Sequence, residues 1–326
     1  MVSAPRTPVL NGPVIVLTGT TASGKTSASL DFARKYGPIE IINADSLLVY
    51  RGMDIGTAKP GQKERDGIPH HLIDFKDPND PFSAGDFVRE TESALSDICS
   101  RGKIPLIVGG TGFYLKALFF GLWESGKADP VIREKLEKYS NQELYERLEK
   151  IDSVSALRMG VNDRYRLIRA LEIFELSGKT PTELQSKQSR NPNPDFQLWV
   201  LDRPNSELYE RISQRSRDML NSGFIDEVKT LMQRYPQSRA LSAVGYEEVK
   251  KYLKGEKPQG RTVPEGMPGL TQEIELATRQ LVKKQRTWFR GQKYAKWFIL
   301  ERDRVALKQA FDAAITPWLN PGNLKK

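Results

Sequence analysis

Residues 14–26 read VIVLTGTTASGKT: four apolar residues, a turn of glycine and small hydroxyl residues, then Lys25 and Thr26. The pattern G-x-x-x-x-G-K-T runs from Gly19 to Thr26, between an apolar run short enough for a buried parallel strand and a helix-compatible segment, ASLDFARKY. Strand, loop and helix in that order form the context of a phosphate-binding loop. Its glycines let successive backbone N–H groups turn inward, and the following helix adds the positive end of its dipole. Gly19, Thr20, Thr21, Ala22, Ser23, Gly24, Lys25 and Thr26 are therefore expected to cradle a diphosphate or triphosphate, with Lys25 on the terminal phosphate and Thr26 on Mg2+. The motif is shared with ATP-binding proteins; it specifies phosphate binding and says nothing of hydrolysis.

Working outward, IEIINAD (39–45) reads as a second strand ending on an acid, with the loop SLLVYRGMDIGTAKP behind it. FSAGDFVRETESALSDICSRG reads as a helix with Ser83 as N-cap, stopped by Gly102, and PLIVGGTG (105–112) as another apolar strand running into glycines. Strands alternating with helices argue for a parallel sheet with ligands at the carboxyl ends of its strands, which places Asp45, the phosphate loop and Gly109-Gly110-Thr111 along one crevice. From about Leu122 the chain becomes charge-rich with helical spacing (Leu136, Leu144, Leu148, Ile151, then Leu167, Ile168, Leu171, Phe174) until a Pro/Asn/Ser-rich stretch at 189–194. FQLWVL (196–201) returns to the sheet, one long helix carries Leu208, Ile212, Leu220, Ile225 and Val228, and WFIL (297–300) is the last strand; 255–269 is a loop by its proline and glycine content. The expected architecture is α/β, a P-loop NTPase-like parallel sheet flanked by helices with an α-helical insertion domain. Its expected divisions are core at 13–121, insertion at 122–195, and returning core with a basic RNA-binding helix at 196–318.

The 326 residues, 38% apolar, suffice for a sizeable core. A single cysteine, Cys99, excludes a disulfide framework within the chain, and with only His70 and His71 beside it no Cys/His zinc site is expected. A structural or hydrogen-bonding role is expected for the histidine pair. Neither a signal-like N-terminus nor a bilayer-length apolar run is present, so a cytoplasmic monomer without membrane contact is expected. The net charge of +9 points to an anionic partner larger than a nucleotide. Its most concentrated stretch, TRQLVKKQRTWFRGQKYAK (278–296), carries Arg279, Lys283, Lys284, Arg286, Arg290, Lys293 and Lys296 with no acid, and interleaves Trp288, Phe289 and Tyr294. Basic residues track a phosphate backbone and aromatics stack on unpaired bases, so the segment reads as RNA contact, the alternative being a solvated helix face.

A P-loop hydrolase needs a second strand-end acid in the Mg2+ shell and a group that orients water. Asp45 is the one obvious acid, and PLIVGGTG ends in Gly-Gly-Thr instead. The loop is then better suited to a diphosphate that leaves than to a phosphate that is attacked. GTTASGKT, NADSLLVYRGMDIGTAKP, PHHLID, PLIVGGTGFYLKAL, NDRYRLIRALEIFELSGKTPTEL, QRSRDML, VGYEEV and ATRQLVKKQRTWFR, in that order, resemble the tRNA dimethylallyltransferases over almost the whole chain, from about Pro13 to Trp297. The resemblance implies Mg2+-dependent transfer of a dimethylallyl group from dimethylallyl diphosphate to N6 of the adenosine at position 37, beside the anticodon, in tRNAs reading codons that begin with U. Thr20 stands where that family usually has proline, and no C-terminal zinc finger of the eukaryotic kind follows, which implies a bacterial-type or organellar enzyme. The competing readings are a small-molecule or nucleotide P-loop kinase, an adenylate-type isopentenyltransferase, and an RNA-binding module with a vestigial nucleotide site.

Residue by residue, the resemblance implies catalytic roles for Asp45 as general base, Arg215 as a partner of the diphosphate and Thr26 as the Mg2+ ligand. Asp45 as a Mg2+-shell carboxylate remains an alternative, as does a solvated helix face for Arg211 and Arg215. The anticodon stem-loop is expected to meet Asp45, Ser46, Leu47, Leu48 and Thr111, then Arg133, Arg166 and Arg169 on the insertion, then Gly245 and Tyr246, then Arg279, Gln280, Lys283 and Arg286. Glu172 and Glu175 lie near the insertion arginines, so intrahelical salt bridges compete with RNA contact there.

Overall fold

Val14–Gly19 forms β1, buried along all six residues. It lies inside a six-stranded sheet in the order β3 (His70–His71), β2 (Ile39–Asn43), β4 (Ile104–Val108), β1, β5 (Phe196–Asp202) and β6 (Lys296–Ile299). Every pairing is parallel, with Ile15 opposite both Leu106 and Gln197, and Leu201 opposite Phe298. The computed structural model describes residues 10–122, 128–186, 189, 191–256 and 263–319. Two compact units result, one formed by the described residues up to Phe119 and from Asn193 onward, the other by Phe120–Pro192.

In the sheet unit, α1 (Lys25–Tyr36) follows the phosphate loop, α2 (Gln62–Arg65) is a single turn, and α3 (Ala84–Ser100) starts in a capping box between Ser83 and Asp86. α4 (Gly112–Phe120) begins directly after the Gly109–Thr111 turn. Phe32 of α1 stacks on Phe311 at 3.9 Å, and Trp199 of β5 meets Phe311 edge-on. Phe311 belongs to the C-terminal helix Arg304–Leu319, which the hydrophobic pattern had not singled out. His71 Nε2 lies 2.7 Å from the carboxylate of buried Glu40, and His70 Nδ1 lies 2.8 Å from the Ile68 carbonyl, so both histidines serve the sheet edge. Hydrogen bonds from Arg101, then from His71, hold the Glu40 carboxyl down at about 2 against the opposing cost of burial.

The second unit contains α5 (Pro130–Glu137), α6 (Asn141–Ile151), α7 (Ser153–Met159), α8 (Arg164–Ser177) and α9 (Pro181–Ser186). Leu136, Leu144, Leu148, Leu167, Ile168 and Leu171, the residues whose spacing marked the region as helical, form its core.

After β5 the expected single helix is two: α10 (Asn205–Asn221) and α11 (Phe224–Arg234). Gly223 stands between them at φ 96°, which lets the chain turn so that Phe224 and Val228 are buried beside Met219 and Leu220. α12 (Tyr246–Leu253) and the 24-residue α13 (Met267–Arg290) follow. α13 starts inside the stretch expected to be a loop, of which 257–262 lie outside the described residues.

The turn after β4 leaves no space for a side chain at its first residue. A Cβ on Gly109 would lie 2.1 Å from the Ala44 backbone carbon, and its carbonyl is already held by Thr18 Oγ1 at 2.7 Å. Gly109→Ala should therefore force β2 and β4 apart and cost about 2–3 kcal/mol. Gly61→Ala, where the added methyl meets nothing within 4 Å, should stay within about 0.5 kcal/mol of wild type. Urea denaturation followed by circular dichroism compares the two.

Candidate functional site

The phosphate loop is braced from outside. Arg203 Nε donates to the Ser23 carbonyl at 2.9 Å and Arg211 Nε to the Ala22 carbonyl at 2.9 Å. Gln285 Oε1 accepts the Thr21 N–H at 2.8 Å, and Lys25 Nζ lies 3.3 Å from the Thr20 carbonyl. In a trans peptide the N–H points opposite to the preceding C=O. Drawing the Ser23 carbonyl toward Arg203 thus turns the Gly24 N–H the other way. Ala22 sits at φ 65°, a region costly for a residue with a Cβ, and its side chain packs against Leu208, Ile212 and Val282. With Gly24 as N-cap, the first N–H groups of α1 have no intrahelical acceptor. Two buried hydroxyls, Thr20 Oγ1 and Ser23 Oγ, have no hydrogen-bond partner in the loop.

Burial brings the Lys25 ammonium down to about 8; the nearby Asp45 carboxylate opposes that shift and Arg215 reinforces it. Arg215 is itself lowered by burial, with Asp45 again opposing. Two cations and one carboxylate therefore share a buried space, an arrangement one net charge short of neutrality that favours an incoming anion.

Asp45 follows β2, where sequence placed it. Its N–H is received by Asn43 Oδ1 at 2.9 Å and its Oδ1 accepts the Leu47 N–H at 3.0 Å. Across from it, Thr111 Oγ1 accepts the Ser46 N–H at 2.9 Å, and Gln285 Nε2 donates to the Gly110 carbonyl at 3.3 Å. Arg215 Nη2 donates to the Thr57 carbonyl at 3.1 Å. Asp45, Ser46, Leu47, Thr57, Gly110, Thr111, Arg215, Gly245, Lys284, Gln285 and Trp288 line a cavity of about 560 Å3, large enough for a nucleobase and a five-carbon chain together. Among the described residues no group of three or more His, Cys, Asp or Glu side chains could cage a metal. One hydroxyl and one carboxylate, Thr26 and Asp45, suit instead a Mg2+ that takes most of its oxygen ligands from phosphate and water.

Several residues expected to meet RNA are otherwise engaged. Tyr246 is 0% exposed and its hydroxyl donates to Glu227 at 2.6 Å, so it is a core residue and direct RNA contact by its side chain is excluded. Arg286 is 14% exposed, bound to Asp202 at 2.8 Å, to Asn205 and to the Arg203 carbonyl; it buttresses the end of β5 instead of presenting a free cation. Tyr294 packs on Phe119, and of the three interleaved aromatics Trp288, against Gly112, and the buried Phe289 line the cavity. Arg279 is paired with Glu275 and lies over Tyr209. Gln280, Lys283, Lys284 and Arg290 are exposed along the same helix. In the helical unit, Arg133 and Arg169 both bind the fully buried Glu172, at 2.9 and 2.6 Å, while Arg166 keeps 66% of its side chain exposed beside Asp163. The intrahelical alternative thus describes Arg169.

Glu227 and Gln285 went unnoticed in the sequence. Glu227 accepts the N–H groups of Asp54, Ile55 and Gly56 as well as the Tyr246 hydroxyl, and so fixes the loop that carries Thr57. Neither residue has a charge pattern or spacing that sets it apart locally.

The IPP transferase family model matches residues 48–292. A tRNA dimethylallyltransferase of Anoxybacillus flavithermus is 41% identical over 294 residues, covering 90% of this chain and 92% of that protein. One of Syntrophobacter fumaroxidans is 39% identical over 294 residues, covering 88% and 83%. Among solved structures, the tRNA isopentenylpyrophosphate transferase of Bacillus halodurans superposes with a TM-score of 0.67 at 34% identity over 96% of this chain and 99% of that one. A eukaryotic dimethylallyltransferase acting on tRNA superposes with a TM-score of 0.77 at 29% identity, covering 93% and 78%.

A lysine near 8 is half deprotonated at that pH, and a bound diphosphate raises its pKa. Diphosphate binding at pH 8 should then take up about half a proton, and affinity should fall as pH rises from 7 to 9.5. Calorimetry with inorganic diphosphate in two buffers of different ionisation enthalpy reads the uptake, which Lys25→Met should abolish.

Proposed function

The chain belongs to the IPP transferase family, and from that premise we propose that it transfers the dimethylallyl group of dimethylallyl diphosphate to N6 of adenosine 37 in tRNA, releasing diphosphate. The observation that carries this reading is the single carboxylate, Asp45, facing a braced phosphate loop across a cavity large enough for both reactants. β4, beside the phosphate loop, leads into Gly109-Gly110-Thr111 instead of an acid, and Asp202, the acid that ends β5, is taken up by Arg286.

The phosphate loop, Lys25 and Arg215 hold the donor diphosphate. As the allylic C–O bond breaks, negative charge grows on the leaving oxygen, and these groups are aimed at that developing charge. Thr26 would hold a Mg2+, which would supply Lewis-acid stabilisation of the leaving diphosphate. The adenosine enters turned out of its loop, because pairing and stacking otherwise hide its amine. Asp45 takes the N6 proton as the new N–C bond forms. With Oδ1 holding the Leu47 N–H, Oδ2 is assigned to that proton. The lone pair of N6 is delocalised into the ring, so removing the proton in step with bond formation matters more than for an aliphatic amine.

RNA contact on the sheet unit falls to Lys283, Lys284, Gln280 and Arg290 on the exposed part of α13, with Ser46, Leu47 and Thr111 at the cavity. Arg166 is the insertion's candidate. A cytoplasmic reaction is part of this proposal; among the described residues no helix is long and apolar enough to cross a membrane.

Asp45→Asn should leave donor and tRNA binding within threefold and lower single-turnover transfer by about 100-fold or more. Recovery of the rate at high Mg2+ would instead make Asp45 a metal-shell group.

Lys283→Ala with Lys284→Ala should flatten the slope of log affinity for tRNA against log salt by roughly 1.4 to 1.8. Arg286→Ala should lower the melting temperature. A salt series of dissociation constants beside thermal melts separates the two effects.

A further inference from the structure

We propose that Gln285 is a positioning residue for prenyl transfer, setting the distance between the donor's diphosphate and the acceptor amine. The inference rests on the function proposed above. One side-chain amide uses both of its ends: Oε1 accepts from Thr21 N and Nε2 donates to the Gly110 carbonyl. These partners lie 264 and 175 residues away in the chain, and belong to the two halves of the reaction. Thr21 is part of the loop for the leaving group. Gly110 precedes Thr111, whose hydroxyl holds Ser46, the neighbour of the base Asp45.

The spacing at this point is tight. A Cβ built on Gly110 would lie 3.1 Å from Gln285 Nε2, 3.2 Å from the Gly19 carbonyl and 3.6 Å from Lys25 Cε. The end of β1, the start of α1 and α13 thus meet at one glycine, and the Gln285 side chain is hydrogen-bonded both to that glycine and to the phosphate loop. Gln285 touches neither reacting atom. Its effect passes through Thr21 and Gly110, and a displacement of about 1 Å between reacting groups is enough to cost 100-fold in rate.

Glutamine is suited to this task by its chemistry. A carboxylate can accept from Thr21 but cannot donate to Gly110, and a thioether of similar length does neither. Gln285 also stands one residue from Lys284 and three from Trp288, both in the cavity wall. The turn of α13 that faces the acceptor is thereby tied to the donor loop.

The test is single-turnover transfer from labelled dimethylallyl diphosphate to an anticodon stem-loop RNA, both saturating, with wild type, Gln285→Met, Gln285→Glu and Gln285→Asn. Gln285→Met should lose about 10- to 100-fold in rate, with RNA affinity and melting temperature unchanged and donor affinity within threefold. Gln285→Glu should keep the Thr21 bond, lose the Gly110 bond, and bind donor more weakly because its charge faces the diphosphate. Gln285→Asn, one methylene short with both functions kept, should also be slow at unchanged melting temperature. A wild-type rate in Gln285→Met overturns the proposal, as does a rate that merely tracks melting temperature across the three variants. No label transfer by wild type would instead overturn the function on which it rests.

Discussion

The site depends on a phosphate loop whose shape is imposed from outside by side chains, before any anion arrives. Arg203 and Arg211 draw two consecutive carbonyls outward, and Gln285 receives an N–H between them and β1. A loop of this kind left to itself would have to order its peptides as the ligand bound, and that entropy would subtract from affinity. Here the ordering is built into folding. The holding groups come from the connection before α10, from α10 itself and from the last two turns of α13, so the site is complete only when the chain returns to the sheet after the insertion. The strained Ala22 at φ 65° is tolerated because Leu208, Ile212 and Val282 pack on its methyl while Arg211 holds its carbonyl.

Electrostatics follow from that geometry. Burial is the largest influence on both cations, Lys25 and Arg215, and the Asp45 carboxylate opposes it in each. Two partly buried positive groups beside one negative group favour the binding of a polyanion. Arg215 is kept in register by the Thr57 carbonyl, and Thr57 by a loop whose three amides converge on Glu227. Backbone nests of this kind ordinarily receive a ligand anion. In this chain the nest is filled by a protein carboxylate, which fixes the loop.

Much of the fold could be read from local pattern. β1, β2, β4 and β5 are short apolar runs bounded by glycine, acid or charge, and the Ser83 capping box is visible as serine followed three residues on by aspartate. The split between α10 and α11 was not legible, because apolar residues on both sides of Gly223 keep helical spacing across it. In the site, motif and strand end set the phosphate loop and Asp45 apart, whereas only the family resemblance pointed to Arg215. Tyr246, Arg286 and Phe289 were misread for one reason. A basic and aromatic composition says what a segment could contact, but which side chains face inward is decided by tertiary partners such as Glu227 and Asp202 that lie far off in sequence. Gln285 and Glu227 escaped notice on the same ground, since their partners are backbone groups with no sequence signature.

On the function proposed above, α13 serves core, catalysis and recognition together. Val282 and Phe289 face the core, Arg286 locks onto Asp202 at the end of β5, Gln285 and Trp288 reach the cavity, and Lys283, Lys284 and Arg290 stay exposed. Successive residues point about 100° apart around a helix, so neighbours in sequence occupy different environments. The half-buried Arg286–Asp202 pair adds little net stability by itself, but it fixes the rotation of α13 about its axis. A rotation of one residue would exchange Gln285 for a lysine at the phosphate loop and turn Trp288 away from Gly112. The pair therefore governs which side chains the helix presents to the donor and which to the RNA, and a segment that reads as uniformly basic in sequence acts as three separate surfaces in the fold.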